Sequence, residues 1–575
     1  MEPTHNRSAT EATLLGGNGS TLSTNGAGNG VSGLPTTSSP TSGSSQLPDG
    51  PARQGVIPPS HPFRTLVLCF DGTGDQFDAD NSNIVQFFSM LLKDDRSKQM
   101  VYYQAGIGTY TIPQIVNPFW SRVAKFIDEA IAWNLDAHVM AGYEFLMQNY
   151  TANDRICLFG FSRGAYIARS LAGMIHKVGL LPASNHQQIP FAYKMYTRAD
   201  DIGWKQSNAF KKACVPVPGI PRYICTDLML DVQAFSNDVD IEFVGVWDTV
   251  NSVGIFPRRL PFTTSNTIVR TFRHAMALDE RRAKFKVNFW NRPDEKEQNL
   301  GTTGTTPPVA STSSHASGSL PKPSKQHSHQ LLEQRYARDR SVPTDIEEVW
   351  FAGCHCDVGG GSVSNETTTN LARIPLRWMI RECFRANSGI MFDCAGLRAV
   401  GLDPDTLYPF VKPRPPPLEV PRGSELRVLD VRTAERASSG AKGDDVDADA
   451  DTDADAGTEE SEQPAAAHPY KTEEEHDLLD TLSPVYDQLS LAWFWWVLEI
   501  LPLKQRYQRG DNQWVTTIWA NLGRARFIPK QVQNGVKVHR SVKVRMETAT
   551  ADESEEGRFY RPRAKFDLAR TIWVD

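Results

Sequence analysis

Four groups of reactive side chains stand where an apolar run gives way to a turn. They are Asp71-Gly72-Thr73-Gly74, Ser162 within Gly160-Phe-Ser-Arg-Gly164, Asp248, and His355 within Gly353-Cys-His-Cys-Asp357. Ile156 to Phe161 has the length and content of a buried strand, and beyond Ser162 the residues Ala165, Ile167, Ala168, Leu171, Ala172 and Ile175 recur at helical spacing. G-x-S-x-G therefore falls on a strand-to-helix switch, the context that a nucleophile elbow requires. A hydroxyl placed there meets the unpaired N–H groups and the positive end of the helix dipole. The chemistry expected is attack by Ser162 on a carbonyl carbon. His355 would take the serine proton and return it to the leaving group. Asp248 would hold the imidazole tautomer and stabilise the imidazolium. One oxyanion donor would be the Arg163 backbone N–H, and a second would come from Gly72 or Thr73.

The order Ser162, Asp248, His355 along the chain is that of α/β-hydrolases rather than of other serine-hydrolase folds. Each residue also has a plainer reading. Asp248 could be a solvated loop acid or cap the turn that follows it. His274 and His539 compete with His355. His274 lies in a stretch that reads as helical beside Arg273 and Asp279, where a packed or ion-paired histidine is expected. His539 follows Asn534-Gly-Val-Lys-Val538 and reads as part of a C-terminal strand or turn. Cys354-His355-Cys356 raises zinc, but adjacent residues on a strand point to opposite faces and do not converge on one ion. A metal-dependent phosphoesterase using Asp71, Asp248, His355 and Asp357 is an alternative that would be sensitive to chelators. Asp357 would otherwise orient the glycine turn.

The elements that must carry these residues alternate. Strands are expected at Arg64–Phe70, Val101–Gly108, Arg155–Phe161, Ile241–Trp247 and Ile346–Ala352, with helical patterns at Ile84–Leu92, Val123–Tyr150, after Ser162, around Arg273–Arg281 and at Leu371–Phe384. The class this predicts is α/β, a mostly parallel sheet with helices on both faces, in which loops after the strand C-termini converge on the site. Residues 1–60 are poor in large apolar side chains and read as a disordered tail. Residues 61–411 form the catalytic domain, with a lid-like irregular region at 181–238 and a flexible insertion at about 292–344. A Pro-rich and acidic linker at 412–476 includes the Asp-Ala repeats of 444–455, which lack the glycine and terminal glutamate of an EF-hand loop. Residues 477–575 should pack on the catalytic domain.

The formal net charge of −6 leaves no basic excess for nucleic acid. Neither a dinucleotide-binding glycine motif nor a P-loop occurs, so no cofactor is implied. The N-terminus has no apolar signal segment, and no run of about 18 uncharged apolar residues is present. A cytoplasmic protein is expected. The aromatic stretch Leu489–Leu503 reads as a helix packed on the core, with peripheral membrane contact as the alternative.

Five motifs in order carry a resemblance: Leu66-Val-Leu-Cys-Phe-Asp-Gly-Thr-Gly74, Gly160-Phe-Ser-Arg-Gly-Ala-Tyr166, Val246-Trp-Asp-Thr-Val250, Arg273-His-Ala-Met-Ala-Leu-Asp-Glu280 and Gly353-Cys-His-Cys-Asp-Val-Gly-Gly360. Together they resemble the α/β-hydrolase-domain family that includes phospholipase effectors of bacterial type VI secretion. His539-Arg-Ser-Val542 and Tyr560-Arg-Pro562 resemble its C-terminal pattern. The chain departs from the family at Cys356, where a small serine-like residue is expected, and in the insertion at 292–344. The resemblance implies a Ser-Asp-His triad, matched by Ser162, Asp248 and His355, and a serine hydrolase acting on an ester, with a phospholipid or other acyl lipid as substrate. A catalytically silent scaffold on the same fold is the competing expectation.

Overall fold

Leu66, Leu68 and Phe70 turn to one side of their strand and Val67 and Cys69 to the other, and all five are buried. A strand covered on both faces carries no polar alternation, which is why it appears in the sequence as a continuous apolar run. The computed structural model describes residues 55–59, 62–106, 135–211, 236–250, 260–290, 342–426, 471–508, 514–529, 531–549 and 559–575. Residues 1–54 of the expected tail, the 123–134 part of the second helical pattern, residues 212–235, residues 292–341 of the expected insertion and residues 427–470 of the expected linker lie outside them.

Eight of the described strands build one sheet. They are β1 (Thr65–Phe70), β2 (Gln99–Gln104), β3 (Arg155–Phe161), β4 (Ile241–Trp247), β5 (Val269–Ala277), β6 (Asp345–Phe351), β7 (Val536–His539) and β8 (Thr571–Val574). Their order is β2-β1-β3-β4-β5-β6-β7-β8, and every neighbouring pair is parallel. The chain starts at β1, steps one way to β2, then crosses to β3 and proceeds the other way. That reversal opens a crevice beyond the carboxyl ends of β1 and β3, where ligands of open α/β sheets bind. Asp71 and Ser162 are the first residues beyond those ends.

On one face, α2 (Leu135–Asn149) and α3 (Ser162–Val178) pack Val139, Leu146, Ile167 and Leu171 against Leu66, Leu68 and Leu158. On the other, α1 (Asn83–Ser89) and a helix at Arg373–Arg385 pack Ile84, Phe87, Leu376 and Met379 against Val67, Phe159 and Phe243. Helices α4 (Ile189–Thr197) and α5 (Asp201–Lys211) cover α3 from outside, with Lys177 donating to Tyr196 O at 3.0 Å. The described part of the expected lid is therefore a second layer over α3.

Two expectations change. The stretch around Arg273–Arg281 is not a helix: its first half is β5. Its Ala, Met and Leu favour helix, but β5 is flanked by β4 and β6 and buried almost throughout, and tertiary burial overrides so weak a preference. The stretch 489–503 is not one helix either. Ala492 is extended and splits it into Gln488–Leu491, a turn at Trp493–Trp495 and a short helix at Trp496–Ile500. Residues that are apolar on every side cannot all face the core, and here Leu489 and Trp495 do while Trp493 and Ile500 stay outside.

Beyond residues 427–470 the chain makes a buried ionic contact with the helix at Arg373–Arg385. With α6 at His355–Gly359 and α7 at Arg373–Arg385, α8 spans Glu473–Thr481 and presents acids to a row of arginines. Arg377 of α7 donates to Asp477 Oδ1 at 2.6 Å and Asp480 Oδ2 at 2.7 Å, and Arg381 pairs with Glu473 at 2.8 Å. Removing one member of such a buried set strands the others without compensation. Arg377→Met is expected to lower the unfolding free energy by about 3–5 kcal/mol, measured by denaturant titration of the full chain; an unchanged midpoint would contradict the anchoring role.

Candidate active site

The turn after β3 explains both glycines of G-x-S-x-G. A Cβ on Gly164 would lie 2.2 Å from Phe70 O and 2.3 Å from Asp71 O, so the start of α3 can approach the end of β1 only without one. A Cβ on Gly160 would meet Gly164 O at 2.5 Å and Ala165 Cα at 2.6 Å. Between them Phe161 is extended, with φ −118° and ψ 142°, while Ser162 has φ +58°, a left-handed conformation that costs a residue with a side chain energy. The strain is held by the packing on either side.

The structure brings Ser162, His355 and Asp248 together across 193 and 107 residues of sequence separation. Ser162 Oγ donates to His355 Nε2 at 2.7 Å, and His355 Nδ1 donates to Asp248 Oδ2 at 2.5 Å. His355 opens α6, beyond the end of β6. Cys354 caps that helix, and Asp357 Oδ2 accepts the Cys354 N–H at 2.8 Å and the Tyr486 N–H at 3.0 Å. Asp357 thus orients the turn, and burial pushes its carboxyl up to about 7. The imidazole lies between Phe161, at 4.7 Å between ring centroids, and Phe285, at 4.8 Å. Burial moves the His355 pKa below its ordinary value, against the opposing pull of Asp248.

Asp248 also has positive φ, +39°, and is fully buried. Burial would raise its pKa. Arg526 reverses this: Nη1 donates to Oδ1 at 2.6 Å and Nη2 to Oδ2 at 2.8 Å, and with the His355 bond they hold the carboxyl well below the usual range. The Ala277 N–H adds a bond to Oδ1 at 3.0 Å. Arg526 is itself fixed by the carbonyls of Ala277, at 2.9 Å, and Phe285, at 3.0 Å. Sequence reading missed Arg526, which sits 278 residues from its partner in no recognisable motif.

Other motif residues act as supports. Glu280 accepts the His355 N–H at 3.3 Å and pairs with buried Arg282 at 2.8 Å. Asp279 Oδ2 accepts from Gly353 N at 2.7 Å and from Tyr560 Oη at 2.6 Å, tying the C-terminal motif to the turn that bears His355. His274 is buried and paired with Glu348 at 3.1 Å, and its Nε2 accepts the Thr249 N–H at 3.1 Å, bracing the loop after Asp248. His539 stacks on Phe351 at 5.0 Å and accepts from Ser541 N at the head of a short helix. Asp71 turns inward and accepts from Ser82 Oγ at 2.6 Å, Tyr103 Oη at 2.8 Å and Gly72 N at 2.8 Å. The Gly72 N–H is thereby engaged, contrary to its expected place as an oxyanion donor. Asp71 needs those donors because it is a buried carboxylate. Among the described residues no three His, Cys, Asp or Glu side chains form a group able to hold a metal ion.

Arg526→Met is expected to cost about 3–5 kcal/mol at neutral pH, because it leaves the Asp248 carboxylate buried without its cation. The folded Asp248 pKa is depressed, so its contribution exists above the unfolded value of about 3.9 and is lost as pH falls. The gap between variant and wild type should therefore narrow below about pH 4 in denaturation curves taken across pH. A gap that stays constant would contradict the ion pair.

Sequence comparison gives these positions a family setting. The model of the type VI secretion system "phospholipase effector Tle1-like, catalytic domain" family matches residues 64–382, which include Ser162, Asp248 and His355 and exclude Arg526. An uncharacterised protein of Saccharomyces cerevisiae, YEL023C, is 28% identical over 568 residues, covering 83% of this chain and 79% of its own length. Two solved structures are similar at low level. An uncharacterised protein from Pseudomonas aeruginosa aligns at 16% identity and TM-score 0.30 over 60% of this chain. The Tle1 effector bound to the VgrG spike of the type VI secretion system aligns at 14% identity and TM-score 0.24 over 52%. The alignments span about half of each of those two chains, 49% and 51%. The family match spans more than half of the 575 residues, and the chain belongs to the Tle1-like phospholipase effector catalytic-domain family.

Proposed function

We propose that the chain is a serine hydrolase that cleaves a carboxylic ester, with a phospholipid or another acyl lipid as substrate. The observation that carries this reading is the 2.7 Å contact between Ser162 Oγ and His355 Nε2, with Asp248 on the opposite ring nitrogen. Ser162 Oγ attacks the ester carbonyl as its proton passes to His355 Nε2, and the imidazolium is stabilised by Asp248. The carbonyl oxygen gathers negative charge over the N-terminus of α3, where the Arg163 N–H serves as one donor. With Gly72 engaged by Asp71, the Thr73 N–H is the remaining candidate for the second. Nε2 then returns the proton to the departing alkoxide. A water molecule, deprotonated by the same nitrogen, releases the acid from Ser162.

Lipid esters are favoured over other esters by the family, whose catalytic domain is described as that of a phospholipase effector. Ser162→Ala, with its circular dichroism unchanged, is expected to lose at least about 10³-fold in kcat/KM on nitrophenyl esters of short and long chain and on a phospholipid panel. Undiminished hydrolysis would remove Ser162 from the mechanism.

The pH profile follows from the burial of His355. Only the neutral imidazole accepts the serine proton, and it predominates above the pKa. Because burial lowers that pKa, the plateau of kcat/KM should extend below the ordinary histidine value of about 6.5. An acid limb centred above about 7 would contradict this.

A further inference from the structure

We infer that the exposed apolar face that carries Trp493, Ile500, Ile518, Trp519 and Leu522 docks the protein on an anionic phospholipid surface, with the ester-cleaving site beside it. This deepens the hydrolase reading and takes its functional meaning from it, although the docking itself is testable alone.

The face is assembled from short pieces held from behind. Strands Leu503–Gln508 and Trp514–Trp519 form an antiparallel hairpin after the helix at Trp496–Ile500. Leu489 and Trp495 are buried beneath. Glu499 also points inward, where its carboxylate accepts from Ala283 N, from Asn521 Nδ2 at 2.6 Å and from Gly523 N at 2.9 Å. Leu522 N donates to Glu499 O at 3.1 Å, which joins the residues after the hairpin to the helix before it.

What remains outside is strongly apolar. Trp493 is 78% exposed, Ile518 73%, Ile500 63%, Leu522 58% and Trp519 55%. Single exposed apolar residues are ordinary, but this concentration over one stretch marks an interaction surface. Its charge indicates the partner. The chain carries −6 in total, yet the sequence from 489 to 529 holds Lys504, Arg506, Arg509 and Arg524, besides the Arg526 that is buried on Asp248, against Glu499 and Asp511. Among the described residues of that stretch the acid is Glu499, and it is buried. The Arg524 guanidinium lies 5.5 Å from the Trp519 ring centroid, while Arg281, 6.0 Å from that of Trp496, is paired with Asp487 at 2.7 Å. Tryptophan beside arginine, with aliphatic side chains between, suits the boundary of a bilayer whose headgroups carry negative charge.

The face also continues into the site. The Trp495 ring is 5.5 Å from Phe285, and Phe285 is 4.8 Å from His355. Arg282 stacks on Phe285 at 3.5 Å and on Trp495 at 4.7 Å. A bilayer seated on the outer side of this segment lies two aromatic contacts from the imidazole.

The test uses the full chain carrying Ser162→Ala, so that vesicles are not consumed. Sedimentation with vesicles of phosphatidylcholine, alone or mixed with phosphatidylserine, measures partition. Binding is expected to favour the mixed vesicles and to weaken with salt. Adding Trp493→Ser and Trp519→Ser should lower partition at least about tenfold. The same pair placed in the otherwise unaltered chain should leave hydrolysis of a soluble short-chain nitrophenyl ester unchanged. Equal partition with and without the two tryptophans, or no vesicle binding by the parent, would overturn the proposal. So would light scattering that shows a dimer turned to monomer by the pair, which would make the face a contact between two copies. Vesicle binding lost with the tryptophans in a protein that cleaves no ester would uphold docking and sink the hydrolase reading alone.

Discussion

A carboxylate with no access to water stays ionised only where fixed charge and hydrogen bonds replace the solvent it has lost. Asp248 is in that position, and the pair of bonds from Arg526 is what answers it. Arg526 adds a cation but competes for the same oxygens as His355, and the geometry divides them cleanly. Oδ1 takes one Arg526 bond and the Ala277 N–H, while Oδ2 takes the other Arg526 bond and the imidazole. With Asp248 anionic and immobile, Nδ1 of His355 must carry a proton, and Nε2 is left to face Ser162. The elbow glycines, the aromatic pair around the imidazole and the Asp279 and Glu280 bonds then fix the distances that this electrostatic arrangement needs.

That dependence makes the C-terminal segment part of the site. The family match ends at residue 382, yet Arg526 reaches Asp248, Tyr560 reaches Asp279 and Tyr486 N reaches Asp357. The α8 contact with Arg377 and Arg381 returns the chain to the body after residues 427–470. One segment therefore supplies a countercharge inside, bracing around the histidine, and the aromatic face outside.

Much of this was legible because local rules and tertiary needs agreed. A strand buried on both sides must be apolar throughout, and β1, β3 and β4 could be recognised on that ground. The turn at Ser162 combined two kinds of constraint, a close approach that excludes a Cβ at 160 and 164 and a change of period from strand to helix, so its motif and its setting reinforced each other. The post-strand positions of Asp248 and His355 followed from the parallel sheet. Where local preference and burial disagreed, reading failed: β5 has helix-forming residues in a place that the sheet required. Arg526 was unreadable for another reason, since an arginine that answers one distant carboxylate leaves no periodicity and no motif. The aromatic stretch 489–503 is apolar on all sides, and its sequence could not say which residues would turn inward.

The most direct test of the account is labelling of the intact protein with a fluorophosphonate, followed by mass spectrometry of the adduct. An activated serine paired with a neutral imidazole should give a single adduct on Ser162, lost in Ser162→Ala and strongly slowed in His355→Ala. An adduct on another residue, or labelling of Ser162 that proceeds as fast without His355, would contradict the assignment of Ser162, His355 and Asp248 as one catalytic unit.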